Sequence, residues 1–148
     1  MFEAKIAVTG KLNVVLYGPD GVAKDSRDID NLVVSSGLAF VTSRMKDATA
    51  TAMSHMAVGS GSTAAAAGDT TLGTELGRVS LASTTVSSNT ITYVATFGAG
   101  TGTGAVTEAG IFNASSSGTL LCRTVFDVVN KGDNDTIQIT WQITLSAS

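Results

Sequence analysis

The sequence predicts an all-β fold, an antiparallel β-sandwich with one short helix near residues 37–47. Apolar residues recur at every second position in several segments, the pattern of strands with one buried face. Gly, Pro, Asn, Asp and Ser turn signals punctuate those segments at the spacing of a sandwich. Helical periodicity is confined to a single stretch.

Taken in order, the chain opens on Phe2, Ala4, Ile6 and Val8, which alternate with other residues over 1–10. This reads as an N-terminal arm or edge strand, apolar enough to pair with a neighbouring subunit's strand edge. A single β-sandwich domain then spans 11–148. Lys11 to Tyr17 is a strand closed by Gly18-Pro-Asp-Gly21, a turn in which Pro presets φ and Gly tolerates positive φ. After Ser35-Ser36-Gly37, the residues Leu38, Phe40, Val41, Met45 and Ala48 fall near one face at helical spacing, with Ser43, Arg44, Lys46 and Asp47 mostly opposite. Ser35 or Ser36 is placed to cap that helix. Asn89 to Phe97 alternates again, through Ile91, Tyr93, Ala95 and Phe97. Leu120 to Phe126 is rich in strand formers but alternates less cleanly. The clearest strand is Thr136 to Leu145, where Ile137, Ile139, Trp141, Ile143 and Leu145 point towards the core and Thr and Gln point away. The loops Ser60 to Gly68 and Gly98 to Gly104 are too short to be interdomain linkers.

Composition bounds the function. Of 148 residues only 14% are charged, with a formal net charge of -3, while 43% are hydrophobic. An ordinary globular domain carries about 25% charged residues, so part of this surface is expected to be buried against other subunits. Weak acidity without a basic cluster argues against nucleic-acid binding. Cys122 is the only cysteine, so neither an intrachain disulfide nor a thiolate metal cluster is expected. No stretch approaches the ~18 apolar residues of a membrane span, and Met1 to Lys5 does not lead into a signal-peptide core. The chain is expected to be made in the cytoplasm of its host cell and to leave it only within an assembled particle.

One ordered set of motifs carries a resemblance. Met53-Ser-His-Met-Ala-Val-Gly-Ser-Gly61 is followed by the small-residue loop Ser62 to Gly68, then Asp69-Thr-Thr-Leu72, Glu75-Leu76, Arg78, and later Thr107-Glu-Ala-Gly-Ile-Phe-Asn113. Upstream, Asp20-Gly21, Asn31-Leu-Val-Val34 and Gly37-Leu38 fit the same type. This set resembles tailed-bacteriophage virion proteins, both capsid cement or decoration proteins and tail-fibre modules, over most of the chain. Its motifs consist of glycines, small residues and apolar strand positions, so the resemblance implies a shared scaffold more than shared chemistry. It implies a jelly-roll-like structural protein on the capsid surface, bound to the major capsid protein and forming a homo-oligomer. The alternative it allows is a tail-associated fibre or adaptor protein acting in host attachment.

The residues that invite a chemical reading are better explained as structure. Gly98-Ala-Gly-Thr-Gly-Thr-Gly104 superficially suggests a phosphate loop, but no helix and no Lys-Ser/Thr pair follow it; a flexible or tightly packed connection is expected. His55 is the only histidine, which leaves a zinc site short of ligands. Gly59-Ser-Gly-Ser-Thr63 lacks the Gly-x-Ser-x-Gly spacing of a nucleophile elbow. Hence His55 reads as a hydrogen-bonded structural residue. The carboxylates gather as Asp20, Asp25, Asp28 and Asp30, and as Asp127, Asp133 and Asp135; neither run has a calcium-loop pattern, and turn closure is expected. Glu108 and Arg123, separated by the turn Asn113 to Gly118, are placed to face each other across a hairpin as a structural pair. Glu75 and Arg78 are expected in the same role. A hydrolase acting on glycans would want paired carboxylates and several aromatics, whereas Trp141 is the sole tryptophan and sits in a buried register. The expectation is therefore a non-enzymatic protein with no cofactor, metal or small-molecule substrate.

Overall fold

The computed structural model describes residues 5–46 and 50–147. Among these lie nine strands and one helix: β1 (Ile6–Tyr17), β2 (Ala23–Val33), α1 (Ser35–Arg44), β3 (His55–Gly59), β4 (Glu75–Ser80), β5 (Ser83–Ser87), β6 (Thr90–Phe97), β7 (Gly104–Phe112), β8 (Leu120–Lys131) and β9 (Thr136–Ala147). The strands form one sheet in the order β4-β3-β7-β8-β2-β1-β9-β6-β5, with every neighbouring pair antiparallel. The fold is all-β and sandwich-like.

Strand β2 turns the sheet over on itself. From Ala23 to Asn31 it pairs with β1, but only Leu32 and Val33 pair with β8. Arg27 bridges the gap that opens between β2 and β8, donating to the backbone carbonyls of Asp127 and Val128. The two halves close over a common core: Leu12, Val14, Tyr93, Phe97, Ile139 and Trp141 from one side, Met56, Val58, Ile111, Cys122 and Val129 from the other. Strands β4 and β5 stand at opposite ends of the order yet are joined by Leu81 and Ala82 alone. The sheet must therefore curl until its two ends approach.

On β9 the side chains of Ile137, Ile139, Trp141 and Ile143 are buried, and Leu145 is half-buried against the same core. Strands β7 and β8 alternate less because both their faces are covered. Ala109 and Ile111 face the main core, while Phe112 and Leu120 join Val34, Ala57 and Leu72 in a second cluster on the outer side.

The helix runs slightly earlier than its periodicity suggests, and a different side faces the core. Its N-cap is Val34, with no side-chain cap; the Ser36 hydroxyl instead donates to the Leu120 carbonyl at 2.7 Å, and the Ser35 N–H to Ala67 O at 2.8 Å. A Cβ on Gly37 would lie 2.0 Å from the carbonyl oxygen of Leu121, so Gly37 is where the helix touches the sheet. Residues three and four further on share that face, which puts Phe40 and Val41 against the core and leaves Leu38 and Met45 exposed. Ser35 and Ser36 are thus helix residues, not caps.

The expected boundary at residues 10 and 11 does not divide the structure. Ile6 to Gly10 is the first half of β1, paired residue for residue with Ala147 to Ile143 of β9. Val8 packs against the core, whereas Ile6 is 69% exposed. Phe2 and Ala4, and Asp47 and Ala48 at the end of the expected helix, lie outside the described residues.

Candidate functional site

The densest polar arrangement lies on the outer side of β7 and β8, beneath the loop from Ser60 to Thr74. Its centre is Glu108, fully buried. One carboxylate oxygen, Oε1, accepts from the Gly73 N–H at 2.7 Å and from Arg123 Nε at 3.1 Å. The other, Oε2, accepts from the N–H groups of Gly61 at 2.6 Å and Thr74 at 2.8 Å. Arg123, 2% exposed, spends its remaining donors on Asp69 at 2.8 Å and on the Thr63 carbonyl at 3.0 Å. Thr107 adds a bond from its hydroxyl to Gly61 O at 2.7 Å. The loop is thereby fastened at both ends to the β7–β8 hairpin.

The glycines follow from this closeness. A Cβ on Gly61 would sit 2.4 Å from Glu108 Oε2, and one on Gly59 would meet the Thr74 carbonyl at 2.3 Å. Gly110 leaves room for Leu72 and Leu120. The motif residues Gly59, Gly61, Asp69, Leu72, Glu108, Gly110 and Phe112, scattered along the chain, therefore converge on one clamp and the small core beside it.

Burial by itself would raise the pKa of Glu108. The N–H groups of Thr74, Gly73 and Gly61 and the Arg123 guanidinium outweigh burial and hold it below the ordinary 4.5. Asp69 is likewise held low, first by the Ala66 N–H and then, against a small burial effect, by Arg123. A carboxylate held ionised with both oxygens engaged is a poor proton donor or acceptor near neutrality. What this cluster does is fix a loop.

The other sequence candidates also take structural positions. Glu75 and Arg78 pair at 2.7 Å; Arg78 stacks over the Phe112 ring at 3.7 Å and donates to the carbonyls of Ala114 and Ser117. His55 is half-buried, its Nδ1 hydrogen-bonded to the Ser54 hydroxyl at 2.7 Å and its Nε2 to that of Ser80 at 3.4 Å. Asp135 closes its turn by accepting from the Gly132 N–H, and pairs with Lys24 at 2.9 Å. Asp20 accepts from the Val22 N–H in the same manner. The loop Gly98 to Gly104 is a packed connection: Gly100, Gly102 and Gly104 have positive φ, and Gly102 lies against Gly77 of β4. Burial pushes the Cys122 thiol well above its ordinary pKa, which disfavours the reactive thiolate.

Two features carried no sequence motif. Lys131 is buried, donating to Gly98 O at 2.8 Å. The more consequential one is the outer face of β5, β6 and β9. Opposite the core-facing residues of these strands stand Ser83, Thr85 and Ser87; Thr90, Thr92, Val94 and Thr96; and Thr136, Gln138, Thr140, Gln142 and Thr144. None is charged, and no residue from Val79 to Thr107 is charged. Charge returns only across β1 and β2, at Lys11, Asp28 and Asp30. That uncharged face, hydroxyl and amide except at Val94, is the candidate interaction surface.

No family model, no curated protein and no solved structure matches this chain.

Proposed function

We propose that this chain is a non-enzymatic structural protein of a tailed-bacteriophage virion: a jelly-roll-like capsid cement or decoration protein that binds between major capsid protein subunits and reinforces the DNA-filled head. The observation that carries this reading is how the few charges are distributed. Glu108, Arg123, Asp69, Lys131 and Asp135 are engaged inside the fold, while the outer face of β5, β6 and β9 is uncharged. A surface of this kind suits extended contact with other subunits better than it suits binding of nucleic acid or of a charged substrate. The motifs that prompt the resemblance to virion proteins converge on the clamp at Glu108 and Arg123, a scaffold role that suits a tile.

The mechanism is binding energy alone. Each bound copy lowers the free energy of the assembled shell relative to the disrupted one, and many modest contributions add over the particle. Because charged contacts are the ones that salt screens strongly, attachment through this face should persist at high ionic strength. Particles lacking the protein should release DNA at a lower temperature than intact ones, read by the fluorescence of a DNA dye during a heating ramp, and adding the protein back should restore the difference. Equal DNA retention together with failure to adsorb to cells would replace the capsid reading with that of a tail-associated fibre or adaptor protein.

A further inference from the structure

The two ends of the sheet are treated differently. On the β4 side, Glu75 and Arg78 form an ion pair at 2.7 Å, and the loop carrying Gly102 lies so close that a Cβ on Gly77 would be 2.8 Å from the Gly102 nitrogen. That end strand carries charged side chains, and a loop packs against its face. On the β5 side, all five residues from Ser83 to Ser87 are exposed, and among the described residues no strand pairs with the outer edge. Natural sheets protect free edges with lysines, prolines, bulges or covering loops. Here the edge reads Ser-Thr-Thr-Val-Ser, rich in strand formers, and lies within a charge-free run from Val79 to Thr107. Val86, next to its end, is 69% exposed.

We infer that the free edge of β5 pairs antiparallel with the β5 of a second copy, extending the sheet across a two-fold axis. The choice of a second copy rests on charge. In a two-fold pairing centred on Thr85, Ser83 meets the partner's Ser87 and Thr84 meets the partner's Val86, so any charge on this edge would stand near its own like in the other copy. Like charges placed opposite each other across strands are destabilising, and the edge has none. The same pairing brings Val86 against an aliphatic Thr84 methyl and satisfies backbone groups that otherwise face water. The inference does not depend on the virion reading: it concerns the isolated chain.

Five residues a side make a contact smaller than the ~800 Å² per partner of standard interfaces, so the association should be weak and concentration-dependent. Sedimentation velocity on the full chain, at roughly 1 to 200 µM to bracket weak interfaces, should show the mass moving from monomer towards dimer. Val86→Lys and, on the opposite face of the same strand, Thr85→Lys should each remain monomeric throughout, with melting temperatures near that of the parent because both side chains are exposed. Hydrogen exchange in the unmodified chain supplies an independent reading: amides of residues 83–87 should gain protection as concentration rises, while those of β4 do not. A parent that stays monomeric overturns the inference. So does a dimer that both lysine variants leave intact, or one that forms without added protection at 83–87.

Discussion

Glu108→Ala should lower the unfolding free energy by about 3–5 kcal/mol, the range for removing one partner of a buried ion pair. Arg123, 2% exposed, would be left with only Asp69 paired to its charge, and the N–H groups of Gly61, Gly73 and Thr74 would lose their acceptor. Replacing both partners by apolar residues should not restore the loss, although such swaps often do elsewhere, because the three backbone donors would still be unsatisfied. Urea denaturation of the single and double variants measures this. The pH profile follows from the same residue. Its folded pKa lies below 4.5, so its stabilisation is fully present above that value and is lost as pH falls through the folded-state pKa. Asp69, also held low, adds to the slope from 3.8 downwards. Melting temperature should therefore decline more steeply below pH 4.5 for the parent than for Glu108→Gln. Parallel curves would mean that the clamp is not what acid breaks.

Trp141→Ala should cost about 3–5 kcal/mol, as large-to-small aromatic changes in cores do. Trp141 is fully buried at the centre of the sandwich, opposite Tyr93 on one side and Leu12 on the other. The indole nitrogen, however, finds no acceptor among the described residues. A buried donor without a partner is itself unfavourable, so Trp141→Phe should recover most of the loss despite its smaller ring. Thermal denaturation of the two variants decides this: equal destabilisation by Phe and Ala would mean that the indole nitrogen contributes a bond after all.

The strands legible in the sequence are those with one wet face. Strands β9 and β6 alternate because Thr and Gln stand opposite Ile, Trp, Tyr and Phe. Strand β8 does not, since its outer side lies under Leu72 and the Ser60 to Thr74 loop. Strand β2 carries almost no apolar rhythm: Asp25, Arg27 and Asn31 alternate with Ile29 and Val33 on one side of it, and Arg27 is accommodated by carbonyls of β8 that no local pattern announces. For the helix, the spacing of Leu38, Val41 and Met45 indicates a face, but the contact is set by Gly37, whose value is the absence of a side chain.

The clamp was legible only in part. Glu108 and Arg123 stand on the two arms of one hairpin, so their proximity follows from a short turn. Asp69 and the amides of Gly61, Gly73 and Thr74 reach Glu108 and Arg123 across 34 to 54 residues of chain, a closure with no periodicity to betray it. The glycine spacing around Gly59 and Gly61 was the available signal, since a close backbone approach to a carboxylate requires it. The uncharged face of β5, β6 and β9 could be anticipated from the charge-free run, but its continuity depends on which strands neighbour one another.

The central claim is the proposal that the chain is a tile of a viral shell, and electron cryomicroscopy of virions assembled in cells that make the protein is the most direct measurement. The account predicts density fitting this fold between major capsid protein subunits on the head, with the uncharged face of β5, β6 and β9 turned towards a neighbour. Density at the tail, or virions that contain none of the protein, would contradict it.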